Sequence, residues 1–387
     1  MKDSPADPPI KTNNHNPEQA AAARLAAAPP EFQALHEIVA KARANLNQND
    51  WDYIVGGAET ETTLRRNRLA LDQLAFRPRV LRDVSAVDAR VTAFGRTLRL
   101  PVVLAPVGSL ESFVASGAAA SARAARNFGV AHMLSSVCQP GLEQVTAAAP
   151  DALRMFQLYA RGDDEFVDDT VARALAHRYT AFCLTVDTAI YSRRERDIAK
   201  RYMTVGRQRA SGRDFQAALD WRTVRRIKDT FKIPLVLKGI ATAEDAAIAL
   251  DHGVDWLYVS NHGGRQLDHG RGVMEVLPEI VAAAGSRAGI IVDGGFARGT
   301  DIVKALAAGA QLVGLGRMQC YALAAGGEAA LVRMLELIED EVRRCLGLLG
   351  VTAFAALDGS YLAAAPAVTP PHALSAFPLL HIEDYRY

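Results

Sequence analysis

The most chemically suggestive part of the sequence is residues 260–268, Ser-Asn-His-Gly-Gly-Arg-Gln-Leu-Asp, which follow the apolar run Trp256–Val259. His262 carries a side chain whose ordinary pKa lies near neutrality, as proton transfer requires. Arg265 offers a rigid fork of donors that suits a carboxylate or a phosphate. The two glycines between them permit a sharp turn and a close approach to a ligand. A base and an anion-binding group on one turn indicate oxidation or isomerisation of a small acid. The alternative is a plain glycine turn with a structural histidine.

This segment belongs to a regular alternation of short apolar runs and helical stretches. The runs are Leu100–Ala105, Val130–Ser135, Leu153–Leu158, Ala181–Val186, Pro234–Leu237, Trp256–Val259, Gly289–Val292 and Leu312–Leu315. Strands that alternate with helices predict a parallel sheet, and eight such units match a closed (β/α)8 barrel. An open doubly wound sheet shares the alternation, but GxGxxG after the first run and GxxxxGK[ST] are both missing. We therefore predict an α/β protein with the (β/α)8 TIM barrel fold.

Catalytic groups in such a barrel collect at the carboxyl ends of the strands. The polar and glycine-rich residues at the predicted ends are Pro106, Val107, Gly108, Ser135, Gln157, Tyr159, Thr185, Asp187, Arg194, Lys238, Ser260, Asp293, Gly295, Arg298, Gly316 and Arg317. Glycines and arginines after the seventh and eighth strands predict a phosphate site, with two ordinary turns as the alternative. An unpaired ammonium is costly to bury, so we expect Lys238 to face an anion or an electron-rich ring. Asp187 can hold an imidazole and stabilise its protonated form. Together these groups predict a redox barrel with a phosphate-bearing cofactor and a carboxylate substrate.

The flanking segments divide the chain into three predicted regions. Residues 1–30, rich in Pro, Asn and Ala, are predicted to be a mobile extension, and residues 31–362 to form the barrel domain. A helical segment precedes the barrel and an amphipathic helix over 327–349 follows it. Residues 193–233 exceed what one helix needs and predict a basic, mobile excursion over the barrel mouth. The tail, residues 363–387, is expected on the surface or against a neighbouring subunit.

Composition limits the class of protein. Half of the 387 residues are hydrophobic, 22% are charged, and the formal net charge is +1, as in ordinary soluble globular chains. Neither nucleic acid nor an anionic membrane is predicted as the main partner. The four cysteines are scattered, which favours buried free thiols over disulfides or a metal site. Because no stretch resembles a membrane span or a signal peptide, we expect a cytoplasmic protein.

With these residues, the chain resembles the FMN-dependent 2-hydroxy acid oxidases and dehydrogenases, which include glycolate oxidase, lactate oxidase and mandelate dehydrogenase. The resemblance runs from about Phe32 to Leu349, and residues 260–268 match the family signature almost letter for letter. Supporting motifs occur in the expected order at Phe156–Tyr159, Leu184–Thr188, Lys238-Gly239, Asp293–Gly295 and Gly316-Arg317. The resemblance implies FMN as cofactor, an L-2-hydroxy acid as substrate, oxygen or a quinone as electron acceptor, and a homotetramer.

The resemblance also implies roles in catalysis. His262 is the base and is paired with Asp187, Arg265 and Tyr53 bind the substrate carboxylate, and Tyr159 hydrogen-bonds the substrate hydroxyl. The sequence leaves two routes open. In one, His262 removes the α-proton; in the other, it removes the hydroxyl proton while hydride leaves the α-carbon.

Two further cations have implied roles in this resemblance. Arg194 reinforces the anion site, and Lys238 lies near N1 and O2 of the flavin, where its charge stabilises the reduced ring. The implied cofactor-binding residues are Pro106, Val107, Gly108, Ser135, Gln157, Thr185, Lys238, Ser260, Asp293, Gly295, Arg298, Gly316 and Arg317.

Several positions depart from the family pattern. Val137 replaces a pocket tryptophan of glycolate oxidase, which predicts a different or roomier acyl pocket. Ala297 stands at a common phosphate-binding arginine, so Arg298 or Arg317 is expected to carry more of that load. Residues 189–192 depart from the usual Pro-x-x-Gly. Two alternatives follow: an FMN barrel enzyme with a diverged substrate, and a flavin-binding scaffold without turnover. The scaffold is disfavoured because a protein without turnover has no need to retain all six of the side chains Tyr53, Tyr159, Asp187, Lys238, His262 and Arg265.

Overall fold

Each of the eight apolar runs forms one strand of a closed parallel barrel in the computed structural model, which describes residues 31–208 and 213–381. In chain order the strands are β1 (Leu74–Phe76), β2 (Val91–Ala93), β3 (Arg96–Leu98), β4 (Val102–Leu104), β5 (Ala131–Ser135), β6 (Arg154–Leu158), β7 (Ala181–Thr185), β8 (Leu235–Ile240), β9 (Trp256–Val259), β10 (Gly289–Asp293), β11 (Leu312–Leu315) and β12 (Leu362–Ala364). Strands β4 to β11 follow one another around the barrel, and β11 closes it by pairing with β4. The predicted (β/α)8 fold is confirmed.

Helices precede, alternate with and follow the barrel strands. They are α1 (Leu35–Asn45), α2 (Gln48–Val55), α3 (Thr62–Asp72), α4 (Gly117–Phe128), α5 (Leu142–Ala148), α6 (Asp164–Ala176), α7 (Glu195–Ala199), α8 (Val205–Gln208), α9 (Arg213–Ala217), α10 (Trp221–Thr230), α11 (Ala243–Asp251), α12 (Val273–Ala284), α13 (Gly299–Ala307) and α14 (Arg317–Leu349). The predicted C-terminal helix is the second part of α14, which departs from helical geometry at Gly326 and Gly327. Among the described helices, none has the length and apolar character needed to cross a bilayer.

Every element above lies in one compact unit that begins at Ala34. The predicted mobile extension over residues 1–30 lies outside the described residues. All four cysteines are buried free thiols, as the sequence predicts.

The barrel interior is built in layers because side chains two residues apart on a strand point to the same face. The apolar layer includes Met133, Met155, Cys183, Val236, Tyr258 and Ile291. Two residues further along the same strands come Ser135, Gln157, Thr185, Lys238, Ser260 and Asp293. At the opposite end, the β2–β3 hairpin closes the barrel by stacking Phe94 on Trp256, with ring centroids 4.3 Å apart. These six predicted site residues therefore form a polar layer above an apolar core.

The long excursion after β7 is hydrogen-bonded to the barrel mouth. The Gly206 amide donates to Ser109 Oγ at 2.8 Å. Gln216 accepts from the Ala160 amide at 2.7 Å and donates to the Thr185 carbonyl at 2.8 Å. The flanks of the predicted mobile loop are thus attached to the strand ends, while residues 209–212 lie outside the described part.

The tail lies along the surface of the barrel, where residues 363–380 are exposed or half-buried apart from Phe377. Strand β12 pairs antiparallel with β1, so the predicted boundary after residue 362 falls inside a strand. Phe377 is 0% exposed and meets His36 edge-to-face at 5.6 Å. The Arg298 guanidinium donates to the Ala376 carbonyl at 3.2 Å. Burial of an aromatic ring explains why this Pro-rich segment packs on its own chain.

A buried ion pair joins α3 to the start of α13. Arg68 makes a bidentate pair with Asp301 at 2.8 Å for both bonds, and Asp301 also accepts from the Ala297 and Arg298 amides. We predict that Asp301→Ala lowers the free energy of unfolding by about 3–5 kcal/mol, because it leaves a buried guanidinium with one partner fewer. Urea unfolding of the flavin-loaded protein measures the change.

The matched control is Asp340→Ala, which removes an exposed i,i+4 pair with Arg344. It should change the unfolding free energy by less than about 1 kcal/mol. Equal effects of the two substitutions would contradict the stabilising role assigned to the buried pair.

Candidate active site

His262 stands between a carboxylate and a phenol at the end of β9. Its Nδ1 lies 3.2 Å from both carboxylate oxygens of Asp187, and its Nε2 lies 3.1 Å from the Tyr159 hydroxyl. An ionised carboxylate only accepts hydrogen bonds, so Nδ1 carries the proton and Nε2 keeps a lone pair. The arrangement gives an oriented imidazole whose free nitrogen can accept a proton.

The backbone of this turn has a left-handed conformation, which is strained at His262 and sets the direction of the imidazole. His262, Gly263 and Gly264 all have left-handed φ angles, of +60°, +65° and +76°. Such a conformation costs a non-glycine residue on the order of 1–3 kcal/mol. The His262 amide donates to Ser260 Oγ at 3.0 Å, which helps to hold the turn.

The electrostatic environment keeps this pair as a neutral imidazole and an ionised carboxylate. Burial, assisted by the Lys238 ammonium, lowers the pKa of His262, and the Asp187 carboxylate opposes the shift only in part. Burial alone would raise the pKa of Asp187, but His262 and Lys238 outweigh it and the pKa lies below its usual value. His262 is therefore ready to accept a proton at neutral pH.

Lys238 brings a positive charge to the floor of the mouth. Its side chain is 3% exposed, and its ammonium donates to Ser260 Oγ at 3.0 Å. The Ser260 hydroxyl in turn donates to Asp293 at 2.6 Å. The ammonium lies 5.4 Å from the Tyr258 ring centroid. Lys238 thus contacts a ring and a hydroxyl, and that hydroxyl links it to the carboxylate of Asp293.

Two guanidinium groups face the same cavity. Arg265 donates to the carbonyls of Tyr53 and Gly56 and lies 4.7 Å from the Tyr53 ring centroid. Burial, followed by repulsion from Arg194, lowers the pKa of Arg265 to about 10. Arg194 is 7% exposed, and its Nε has no hydrogen-bond partner among the described residues. Two adjacent buried cations with spare donors indicate an anion-binding site.

Two tyrosines complete this wall as protonated donors. Burial raises the pKa of both Tyr53 and Tyr159. Tyr53 comes from α2, where its hydroxyl lies 3.4 Å from the Gly108 carbonyl and its ring stacks on Phe113. The resemblance implies that Tyr53 contacts the substrate, and the structure places its ring in the cavity wall.

Most predicted site residues line one cavity at the carboxyl ends of the strands. Those in the lining are Tyr53, Pro106, Val107, Gly108, Tyr159, Arg194, Lys238, His262, Arg265, Asp293, Gly295, Gly316 and Arg317. Those directly behind the lining are Ser135, Gln157, Thr185, Asp187 and Ser260.

Arg298 is the predicted residue that the structure does not bring to the cavity. Its guanidinium forms an ion pair with Glu341 on α14. The position of Arg298 does not support the expectation that it binds the phosphate, because the Glu341 carboxylate already neutralises its guanidinium.

The lining can accommodate a polar ring and a phosphate. Gln157 is fully buried, donates to Thr185 Oγ1 at 2.8 Å, and leaves its Oε1 without a hydrogen-bond partner. Further along the cavity, Gly295 has a φ of +84° and Arg317 begins α14. Exposed amides and a helix N-terminus are suited to a phosphate.

Sequence reasoning missed several parts of the lining, among them Arg68, Arg161 and, in the tail, His372, Ala373, Ala376 and Phe377. Arg161 follows Tyr159 by two positions, so the strand-end pattern could have revealed it. Arg68 lies on α3 and the last four lie in the tail, where no motif marks a site. Burial lowers the pKa of Arg161, as for a cation withdrawn from water.

Comparisons with known proteins agree with this geometry. The model of the family described as FMN-dependent dehydrogenase matches residues 42–211 and 202–364. An L-lactate oxidase from Nostoc is 35% identical over 354 residues, covering 85% of this chain and 97% of that protein. Glycolate oxidase from Spinacia oleracea is 35% identical, covering 86% and 96%. The crystal structure of mandelate oxidase with (S)-2-phenylpropionate aligns with a TM-score of 0.81 at 36% identity, covering 87% and 100%.

We predict that the imidazole of His262 titrates below 6.5 and that Asp187→Asn lowers its pKa further, since the carboxylate stabilises the protonated ring. Titration of histidine-labelled protein by nitrogen–proton correlation spectra measures both values. Asp340→Asn, on the surface of α14, should leave the His262 value unchanged. An unchanged or higher pKa in Asp187→Asn would show that the pair is not coupled.

Proposed function

Because the chain belongs to the FMN-dependent dehydrogenase family, we propose that it oxidises an L-2-hydroxy acid to the corresponding 2-oxo acid. Lactate, glycolate and mandelate, the acids named for its relatives, all carry a hydroxyl beside a carboxylate. The observation that carries the proposal is the unprotonated Nε2 of His262, beside the Tyr159 hydroxyl, in the same cavity as two buried guanidiniums.

Carboxylate binding falls to Arg265 and Arg194, with the Tyr53 hydroxyl as a further donor. Neither guanidinium has a carboxylate within ion-pairing distance in the part of the chain that the structure describes. A substrate carboxylate would relieve the repulsion between them, and charge-assisted bonds of this kind are the strong ones. Binding at this end places the rest of the acid towards Tyr159 and His262.

Proton transfer falls to His262. Its Nε2 takes one proton from the substrate, and the Asp187 carboxylate stabilises the imidazolium that results. Tyr159, held protonated by burial, donates to the substrate oxygen beside Nε2. The excursion after β7 contributes Thr204 and Gly206 to the cavity wall, and the Gly206 amide is hydrogen-bonded to Ser109 Oγ.

The lining fits FMN, the cofactor of this family. When bound, FMN supplies the acceptor for the two electrons that leave the substrate. The unpartnered Gln157 Oε1 and the Lys238 ammonium would face the polar edge of the ring. The Gly295 turn, Gly316 and Arg317 would hold the phosphate. The charge of Lys238 favours the ring when it carries additional electrons.

Three finer predictions belong to the same proposal: oxygen or a quinone as electron acceptor, a homotetramer, and a cytoplasmic location. They follow from the resemblance and the composition. Reoxidation of the reduced protein with dioxygen or with a quinone distinguishes the two acceptors.

A second candidate is the same chemistry on a diverged substrate. Val137 and Arg161 both line the cavity. Val137 packs against Gly108 so closely that a Cβ atom at position 108 would lie 2.9 Å from Val137 Cγ2. A valine and an arginine create an acyl pocket unlike one walled by an indole ring. A wide range of 2-hydroxy acids is therefore needed in the test.

The direct test is anaerobic mixing of the flavin-loaded protein with lactate, glycolate, mandelate and longer or dicarboxylic 2-hydroxy acids. We predict that at least one bleaches the flavin band near ~450 nm and yields a 2-oxo acid. A yellow protein that no member of the panel reduces would contradict the proposal and favour the diverged substrate.

The matched control for this test is His262→Ala. It should retain FMN but reduce it about 10²-fold to 10⁴-fold more slowly, as expected for loss of a general base. His252→Ala, at the end of α11 and outside the cavity, should reduce at the original rate. Unchanged reduction in His262→Ala would exclude His262 as the base.

A further inference from the structure

Arg194 lies in the cavity wall next to another positive charge. Its side chain is 7% exposed, and it lines the same cavity as Arg265. Burial and then repulsion from Arg194 depress the pKa of Arg265, so the two guanidiniums act on each other. A long cationic side chain under such repulsion gains by turning towards water unless another contact offsets that gain. A contact that holds Arg194 inward is therefore needed.

The ring of Tyr191 supplies such a contact. Cζ of Arg194 lies 4.8 Å from the centroid of this ring, which is within the range of a cation–π attraction. Arg194 Nε has no hydrogen-bond partner among the described residues. Tyr53 makes the same kind of contact with Arg265, at 4.7 Å. Each of the two guanidiniums at the substrate end is thus faced by one tyrosine ring.

The chain on both sides of Tyr191 is bonded to the segment that carries Arg265. The Ser192 hydroxyl donates to the Arg265 carbonyl, and Gln266 Nε2 donates to the Ile190 carbonyl at 3.3 Å. These two bonds flank Tyr191 and end on consecutive residues after the catalytic turn. The direction of the ring is therefore tied to the position of Arg265.

We propose that Tyr191 is a positioning residue whose ring holds the Arg194 guanidinium beside Arg265, ready for a substrate carboxylate. The resemblance implies no role for Tyr191, which lies in the segment 189–192 that departs from the family pattern. A guanidinium that faces the cavity for only part of the time binds a carboxylate with an affinity reduced by that fraction. The inference rests on the proposed function for the binding of a carboxylate and requires no turnover.

The test measures carboxylate binding without oxidation. Flavin-loaded protein is titrated with pyruvate and with benzoylformate, the 2-oxo acids that correspond to lactate and mandelate, and the change in flavin absorbance gives each Kd. Tyr191→Leu removes the ring, and Tyr191→Phe keeps the ring without its hydroxyl. Both are also made in an Arg194→Met background. Because no flavin is reduced, the result is separate from whether any 2-hydroxy acid is oxidised.

We expect both Kd values to rise about 5-fold to 30-fold in Tyr191→Leu, as for loss of a desolvated cation–π contact. Tyr191→Phe should restore most of this affinity. In the Arg194→Met background, Tyr191→Leu should add little, because the ring has no cation left to hold. Tyr361→Leu, the matched control, removes a ring that faces Arg79 outside the cavity and should leave both Kd values unchanged.

Unchanged Kd values in Tyr191→Leu, or an equal rise in the Arg194→Met background, would overturn the proposal. Equal losses in Tyr191→Leu and Tyr191→Phe would also overturn it, because they would assign the effect to the hydroxyl. So would the absence of carboxylate binding by the unsubstituted protein. Thermal melts confirm folding, and Tyr191→Met provides the same test should the leucine variant not fold.

Discussion

The site depends on the two-residue alternation of side chains along parallel strands. That alternation places a polar residue directly above an apolar one on each of six barrel strands. Strand register then sets these polar residues level: Ser135 pairs with Gln157, and Thr185 pairs with Lys238. A shift of one residue on β8 would turn Lys238 out of the barrel and into its outer layer. The chemistry of the mouth is thus fixed by packing of the core beneath it.

Unbalanced charge is the second organising feature. The cations in the lining include Lys238, Arg161, Arg194, Arg265 and Arg317, and the anions beside them include Asp187 and Asp293. This excess of positive charge in one cavity favours anionic ligands. A cofactor phosphate and a substrate carboxylate would offset it at opposite ends. Burial, with the positive charge of Lys238 added to it, lowers the pKa of His262 and so keeps its lone pair available.

The sequence predicted those parts that depend on local pattern. The eight apolar runs predicted the barrel strands, and the residues at their carboxyl ends predicted the polar groups that the structure brings to one mouth. Groups whose position depends on a distant partner were not predictable. Arg298 forms an ion pair with Glu341 on α14, and Phe377 packs edge-to-face against His36 on α1. Such contacts join segments far apart in the chain, and no spacing rule within a single element encodes them.

The central claim is that buried guanidiniums select a carboxylate next to the carbon that is oxidised. Its most direct test compares flavin reduction by a 2-hydroxy acid with reduction by the matching primary amide, which has nearly the same shape and no charge. The rate constant divided by the dissociation constant should be about 10²-fold to 10⁴-fold lower for the amide, as two lost charge-assisted bonds imply. Equal efficiency for acid and amide would contradict the account.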